Sequence, residues 1–187
     1  MILHALVDDY EVARAAIDGG ATLLQLRLKN LPTAELVEEG RPFRDLCANS
    51  GVTFVVNDDV EAAIALGADG VHLGRDDGGI ERARAAGLKL GLSAQNLDEA
   101  VAADNEHPDY VGVGPVWATP VKPGVPALGL ERLREICESI AAPVVAIGGI
   151  DATKAALCLD AGAVGVAVVR ASVDAAAVRT ALERAAV

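Results

Sequence analysis

Two groups of aspartates follow two apolar runs of the chain, and their spacing suggests a metal site. Asp58 and Asp59 follow the β-branched run Val52–Val56 and Asn57, and Asp76 and Asp77 follow the run 69–73 after two residues. In β/α folds the carboxyl ends of parallel strands bind ligands, so the two acidic loops would lie side by side. Carboxylate oxygens are typical ligands of hard divalent cations. The alternative is that the first pair caps the next helix and that the second lies in a solvated turn.

Polar side chains also alternate near the end of the second predicted strand, Ala21–Leu26. Gln25, Arg27 and Lys29 occupy every second position there, so in a continuing strand they share one face. Inside a barrel that face is the lumen, where two cations and an amide are costly unless an anionic ligand or a carboxylate meets them. These residues therefore indicate an anion site. If the strand ends earlier, the same side chains lie in a solvated loop.

The fifth and sixth predicted strands end in polar residues that suit a phosphate. Ser93 could donate to a phosphate oxygen, while Asn96 could cap the next helix. The longest loop, 112–124, carries Lys122 and the only tryptophan, Trp117, among prolines and glycines. Loops of this kind usually carry function. A simpler role for Trp117 is to plug the mouth of a barrel.

The last two predicted strands end in a glycine pair and in an arginine. Gly148 and Gly149 open a helix whose free N–H groups suit a phosphate. Val169 and Arg170 end the eighth strand. Together these loops occupy the position where β/α barrels often hold a phosphate.

Composition excludes several classes of protein. The chain has 187 residues, a hydrophobic fraction of 52% and an aromatic fraction of 3%, so its core consists mainly of Ala, Val, Leu and Ile. A net charge of −11 argues against a nucleic-acid or anionic membrane surface. The sequence shows no secretory segment and no bilayer span, which predicts a cytoplasmic protein. Cys47, Cys137 and Cys158 are scattered and odd in number, which indicates reduced thiols.

Strands and helices alternate eight times, which predicts an α/β fold. No linker divides the chain, so we expect one domain over residues 1–187. Glycines at 20, 67 and 162 each end a predicted helix, and the spacings between them correspond to about two and four β/α units. This regular spacing favours a closed, eight-fold parallel β/α (TIM) barrel with short loops. The seventh helix is predicted over Ala152–Leu159 and the eighth over Val173–Ala185.

Several of these motifs occur together in the order found in one enzyme family. They are Gln25-x-Arg27-x-Lys29-Asn30, Asn57-Asp58, the run 69–74 with Asp77, the run 109–115, Thr119 with Lys122, and Ile147-Gly148-Gly149-Ile150. The ordered set resembles thiamine phosphate synthase over nearly the whole chain. The superfamily also contains the thiazole tautomerases, whose chains likewise begin at the first strand. Synthases usually carry an extra N-terminal helix, which this sequence is expected to lack.

The resemblance implies an alkyl transfer from hydroxymethylpyrimidine diphosphate to a thiazole phosphate, which gives thiamine phosphate and pyrophosphate. It implies that Asp58 and Asp77 hold Mg²⁺ and that Gln25 binds the aminopyrimidine. Charge on the departing diphosphate would be met by Arg27, Lys29, Asn57, Ser93 and Lys122, of which Arg27, Ser93 and Lys122 are the candidate catalytic residues. The acceptor phosphate would be met by Thr119, Gly149, Val169 and Arg170.

The sequence departs from the family pattern mainly on the acceptor side. On that side, Val121 stands where the family has a threonine and Arg170 where it has a serine. On the donor side, Leu28 stands where the family commonly has an acidic residue and Arg75 where it usually has a glutamine. A non-catalytic or regulatory phosphate-binding paralogue is therefore the alternative function. A thiazole tautomerase is a further alternative, but Gln95 replaces the histidine of that activity, and an amide does not titrate near neutral pH.

The resemblance also suggests a homodimer formed through helices on the barrel wall. The expected partners are small phosphorylated molecules, with no nucleic acid and no membrane. His72 is predicted to be a packed, hydrogen-bonded residue near the barrel interior without a catalytic role.

Overall fold

A closed barrel of parallel strands forms the centre of the molecule, in a computed structural model that describes residues 1–121 and 124–185. Each strand pairs with the next in chain order, and the eighth pairs with the first. The strands are β1 (Ile2–Val7), β2 (Leu23–Leu26), β3 (Thr53–Asn57), β4 (Gly70–Leu73), β5 (Lys89–Ala94), β6 (Tyr110–Val113), β7 (Val144–Ile147) and β8 (Gly165–Val168). The predicted eight-fold parallel barrel is confirmed.

Helices cover the outside of the barrel and connect successive strands. They are α1 (Tyr10–Asp18), α2 (Thr33–Ser50), α3 (Val60–Leu66), α4 (Ile80–Ala85), α5 (Leu97–Asp104), α6 (Gly129–Ser139), α7 (Ala155–Asp160) and α8 (Ala175–Ala185). A 3-10 helix, Arg170–Asp174, lies between β8 and α8. Among the described residues, no helix has both the length and the apolar character needed to cross a bilayer.

Local sequence signals explain where several helices begin and end. The side chains of Asp9, Asp59 and Asn96 accept hydrogen bonds from first-turn N–H groups of α1, α3 and α5. Gly51 and Gly67 end α2 and α3 in the left-handed conformation that glycine adopts most readily. These signals set where the four helices begin or end.

Two apolar layers hold the barrel together. The larger lies between strands and helices and consists mainly of small and branched aliphatic side chains. The smaller fills the lumen with Leu6, Leu23, Val55, Tyr110, Val145 and Ala167. Four members of the lumen layer, Leu6, Tyr110, Val145 and Ala167, also line a cavity that is described below.

Predicted and observed boundaries differ by one to three residues at several elements. The strand β2 begins at Leu23, two residues later than predicted. The helix α7 begins at Ala155 because Asp151 accepts hydrogen bonds from the backbone N–H and the hydroxyl of Thr153, at 2.9 and 2.6 Å, which holds a turn before the helix. The predicted eighth helix is a 3-10 segment followed by α8.

The three cysteines are free thiols, as predicted. Burial raises the pKa of Cys47 and of Cys158 to about 12, and that of Cys137 to about 11. The thiols therefore stay protonated and pack as small apolar side chains.

Candidate active site

Two adjoining cavities open at the carboxyl ends of the strands. The first, which we call the lumen cavity, has a volume of about 210 Å³ and is lined by residues of all eight strands and of the loops after β2, β3, β4 and β6. The second, which we call the glycine-loop cavity, has a volume of about 340 Å³ and lies between the loops after β6, β7 and β8. Both are lined by Gly114, Ile147 and Ala167, so they share a wall. Molecules in the two cavities would lie next to each other.

A buried amide forms part of the inner wall of the lumen cavity. Gln25 is 1% exposed, and its Nε2 donates to Oδ1 of Asn57 at 2.6 Å. This bond fixes the orientation of the Gln25 amide, which offers both a donor and an acceptor. Two expected ligand-binding residues are thus brought together by neighbouring strands, β2 and β3.

A histidine of β4 is held between two other side chains of the same cavity. His72 Nδ1 lies 3.0 Å from the Tyr110 hydroxyl oxygen, and His72 Nε2 lies 2.9 Å from Ser93 Oγ. The prediction that His72 is a packed, hydrogen-bonded residue of the interior is confirmed. Ser93 lies at the end of β5 and lines the lumen cavity.

The two aspartates predicted to bind a metal meet at the rim of the lumen cavity. Partial burial and, next, the hydrogen bond and negative charge of Asp77 raise the pKa of Asp58 to about 6. Arg27 and Lys29 oppose this shift with their positive charges. The Asp77 carboxylate is oriented by the Gly74 N–H, which donates to it at 2.7 Å. Asp58 has a φ of 65°, a strained backbone conformation of the kind that clusters at functional sites.

The neighbouring aspartates, Asp59 and Asp76, have other contacts. The alternative that the aspartates cap a helix holds for Asp59 only. Asp59 caps α3 and accepts a hydrogen bond from the Thr33 hydroxyl at 2.7 Å. Asp76 is exposed and pairs with Arg75 at 3.3 Å. Within residues 1–121 and 124–185, no group of three or more His, Cys, Asp or Glu side chains could hold a metal. A cation between Asp58 and Asp77 would therefore take its remaining ligands from water or substrate oxygens.

The two basic residues after β2 are placed differently from each other. Arg27 is half-buried and lines the lumen cavity. Lys29 is exposed and is not among the residues that line it. The predicted alternation fails at Lys29 because β2 ends at Leu26, beyond which the chain is a loop. Lys29 contributes positive charge at the rim, near enough to Asp58 to affect its pKa.

Two glycines with positive φ lie in the wall of the glycine-loop cavity. Gly148 and Gly149 have φ values of 97° and 69°, and a Cβ on Gly149 would lie 2.7 Å from the Cβ of Trp117. Both the conformation and the lack of space therefore require glycine at position 149. The cavity is also lined by the expected residues Thr119, Val169 and Arg170, and by Val121. Lys122 falls outside the described residues.

Charged residues at this cavity were only partly predicted. Arg170 is exposed, lines the cavity and forms no ion pair with any described residue. Lys154 was missed. Its Nζ donates to the Gly149 carbonyl at 3.0 Å and to Asp151 Oδ2 at 2.8 Å, and lies 5.6 Å from the centre of the Trp117 ring. These contacts fix the Gly149 loop and the tryptophan beside it.

Comparison with known proteins identifies the family. The family described as thiamine monophosphate synthase matches residues 3–172 of the sequence. The chain belongs to this family. The thiamine-phosphate synthase of Chloroflexus aurantiacus is 48% identical over 165 residues, which cover 87% of this chain and 76% of that protein. The corresponding protein of Pyrococcus furiosus is 44% identical over 168 residues, covering 89% and 81%.

The solved structures agree with this assignment. A thiamine phosphate pyrophosphorylase from Pyrococcus furiosus superimposes with a TM-score of 0.90 at 38% identity, covering 98% of this chain and 96% of that one. The resemblance inferred from the ordered motifs is therefore confirmed, and the chain is an enzyme of the thiamine-phosphate synthase type.

Two lumen residues of this family member were not expected to matter for the site. Tyr110 and His4 both line the lumen cavity. His4 is 2% exposed, and burial, followed by the nearby His72, lowers its pKa to about 3. Alternation along β1 and β6 was the available signal, since His4 precedes Leu6 by two residues on the face that points inward.

Proposed function

We propose that this chain couples hydroxymethylpyrimidine diphosphate with a thiazole phosphate, releasing pyrophosphate and forming thiamine phosphate. The observation that carries the proposal is the wall shared by the lumen cavity and the glycine-loop cavity. One cavity has a buried amide and a carboxylate pair, which suit a pyrimidine and a metal-bound diphosphate. The other has positive-φ glycines and an arginine that forms no ion pair with any described residue, which suit a second phosphate.

The donor side of the proposal rests on Asp58 and Asp77. Burial and, next, the proximity of Asp77 raise the pKa of Asp58, and the two carboxylates repel each other when both are ionised; a hard divalent cation removes that repulsion. The pair therefore fits Mg²⁺. When bound, Mg²⁺ would neutralise charge on the diphosphate oxygens.

The protein's own residues would then assist departure of the diphosphate. The bond between the pyrimidine methylene carbon and the diphosphate oxygen breaks, and its electron pair leaves with the diphosphate. The thiazole nitrogen supplies the electron pair of the new carbon–nitrogen bond. Preorganised donors aimed at the growing charge lower the barrier. In the proposal these donors are Arg27, Lys29, Asn57, Ser93 and Lys122, while Gln25 binds the aminopyrimidine.

The acceptor phosphate would occupy the glycine-loop cavity. Thr119, Gly149 and Val169 line it. Arg170 would form charge-assisted hydrogen bonds with the phosphate and so compensate for the hydroxyl groups missing at Val121 and at its own position. Gln95 lines neither cavity, which disfavours tautomerase chemistry based on this position.

The test is to incubate the purified protein with both substrates and Mg²⁺ and to follow thiamine phosphate. Product formation that stops when the metal is chelated is the expected result. The changed acceptor side, with Val121 and Arg170, supports one competing function, a phosphate-binding protein without turnover. Binding of both ligands with no product would favour that alternative and contradict the proposal.

The proposal extends to the assembly and location of the chain. Residues 1–187 are proposed to unfold as one domain, to form a homodimer through barrel-wall helices and to act in the cytoplasm on small phosphorylated molecules. Three free thiols, two of them buried, support a reducing compartment. Sedimentation of the purified protein at a monomer's mass would contradict the dimer.

A further inference from the structure

A chain of three hydrogen-bonded side chains lies in the wall of the lumen cavity and ends at the hydroxyl of Ser93. Tyr110 bonds to one nitrogen of His72, and Ser93 bonds to the other, at 3.0 and 2.9 Å. The arrangement is tightly enclosed, because a Cβ on Gly91 would lie 2.6 Å from His72 Nδ1 and would also overlap the Tyr110 ring. A Cβ on Gly112 would lie 3.1 Å from His72 Cε1. The two aromatic rings therefore have little freedom to change partners.

The direction of the first hydrogen bond follows from the burial of Tyr110. Its side chain is 5% exposed, and burial, followed by the nearby Asp109, raises the pKa of the phenol, so the hydroxyl keeps its proton. His72 Nδ1 is the hydrogen-bond partner of this hydroxyl among the described residues. If the ring carried a proton on Nδ1, the phenol proton would have no acceptor among them, which is costly for a buried donor. The phenol therefore donates to Nδ1.

The direction of the second hydrogen bond follows from the first. With Nδ1 as the acceptor, the single ring proton of neutral His72 lies on Nε2. The Nε2–H group then donates to Ser93 Oγ, and the Ser93 proton stays available to the cavity that Ser93 lines. With the other tautomer, the Ser93 proton would instead be donated to Nε2.

We propose that Tyr110, acting through His72, is a positioning residue that keeps the Ser93 hydroxyl as a hydrogen-bond donor to the diphosphate. This inference rests on the proposed function, in which Ser93 meets the diphosphate. It gives Tyr110 a role in the reaction without contact to the reacting atoms. It also assigns His72 a fixed tautomer rather than an acid–base role.

The tautomer can be measured directly by ¹⁵N NMR of the histidine rings in the wild-type protein. The chain contains three histidines, so the spectrum is simple, and a His72→Asn variant assigns the ring of interest. A protonated Nε2 and an unprotonated Nδ1 are the expected result. A proton on Nδ1, or on both nitrogens, would overturn the inference whatever the enzymatic activity.

The functional link is tested by a double-mutant cycle of Tyr110→Phe and Ser93→Ala, read by calorimetric binding of pyrophosphate with Mg²⁺. Tyr110→Phe should weaken binding by roughly tenfold in the wild-type background, which is the value of one hydrogen bond to a charged group. It should have no effect in the Ser93→Ala background, because its action passes through the missing hydroxyl. Tyr10→Phe, at the other tyrosine, which is exposed on α1, is the matched control and should bind as the wild type does.

The possible outcomes separate this inference from the proposed function. If the wild type does not bind pyrophosphate, the proposed function fails. If the wild type binds it and Tyr110→Phe binds equally well, the positioning role is wrong. An equal loss in both backgrounds would also overturn it, since Tyr110 would then act by packing or by direct contact.

Discussion

The lumen cavity and the glycine-loop cavity are built from different kinds of groups. In the lumen cavity, side chains orient one another through short hydrogen bonds, as Gln25 and Asn57 do at 2.6 Å. In the glycine-loop cavity, the shape comes from backbone turns such as Gly149, and the charged group Arg170 is exposed and unpaired among the described residues. The departures from the family pattern at Val121 and Arg170 fall in the second cavity. In the lumen cavity the side chains hold one another in place, so a substitution at one of them disturbs its partners. An exposed side chain that is unpaired among the described residues, such as Arg170 in the glycine-loop cavity, can be substituted with less effect on its neighbours.

The largest effect is expected at the carboxylate pair of the lumen cavity. Asp58→Asn and Asp77→Asn should each raise the Mg²⁺ concentration needed for activity by roughly tenfold or more, because a charged oxygen ligand of a hard cation is lost. Titration of activity with Mg²⁺ measures this. Asp76→Asn is the matched control, since Asp76 is exposed and pairs with Arg75. Unchanged Mg²⁺ dependence in both variants would return Asp58 and Asp77 to a structural role.

The next effect concerns the backbone of the glycine-loop cavity. Gly149→Ala should lower affinity for the thiazole phosphate and also lower the unfolding temperature, because alanine at φ 69° is strained and its Cβ would overlap Trp117. Gly67→Ala is the control, since Gly67 has a φ of 62° with no atom within 4 Å of the added carbon. Equal losses in the two variants would mean that backbone strain alone explains the result.

A smaller effect is expected at Arg170, the charged residue of the same cavity. Arg170→Ser should weaken thiazole phosphate binding by about tenfold, since a charge-assisted hydrogen bond contributes about 1.5–3 kcal/mol. Its kinetics with the pyrimidine diphosphate should stay the same. Arg132→Ser, on the outer surface beside Glu135, is the control. Retained or improved affinity in Arg170→Ser would contradict the compensating role of the arginine.

The smallest effect is a pH dependence of stability that belongs to the lumen cavity. The pKa of Asp58 is raised from 3.8 to about 6, so the folded chain favours the protonated carboxyl. The contribution of the protonated Asp58 carboxyl to the free energy of unfolding is complete below about pH 4 and is lost as the pH rises through about 6. Without metal, Asp58→Asn should therefore stabilise the protein more at neutral pH than at pH values near 4. Urea unfolding in the presence of a chelator at both pH values measures this. An equal difference in the free energy of unfolding between Asp58→Asn and the wild type at the two pH values would contradict the prediction.

The sequence predicted the barrel well because its signals are local and repeated. Apolar runs, capping residues such as Asp59 and helix-ending glycines such as Gly67 each act within a few residues. Such local signals do not distinguish the role of Asp58, beside Asp77, from that of Asp59, which caps α3. The two adjacent aspartates differ in backbone conformation and in their contacts with distant residues. The lumen position of Lys29 was predicted wrongly for a related reason. Side chains alternate between the two faces only within a strand, and β2 ends at Leu26, before Lys29.

The contacts that the sequence could not predict are those between distant residues. Lys154 has no sequence signal that connects it with Trp117, and the contact appears only once the loops after β6 and β7 meet. The hydrogen bonds of His72 with Tyr110 and Ser93 join residues of three strands. Their directions depend on burial, which a sequence gives only approximately.

The central claim, that two adjoining cavities hold a diphosphate and a second phosphate at once, is tested most directly by calorimetry. Pyrophosphate with Mg²⁺ is titrated into the free protein, and thiazole phosphate is then titrated into protein saturated with both, using the wild type, Asp58→Asn and Arg170→Ser. We expect both ligands to bind together, Asp58→Asn to weaken mainly pyrophosphate binding and Arg170→Ser to weaken mainly thiazole phosphate binding. Mutual exclusion of the two ligands, or equal losses for both ligands in each variant, would contradict it.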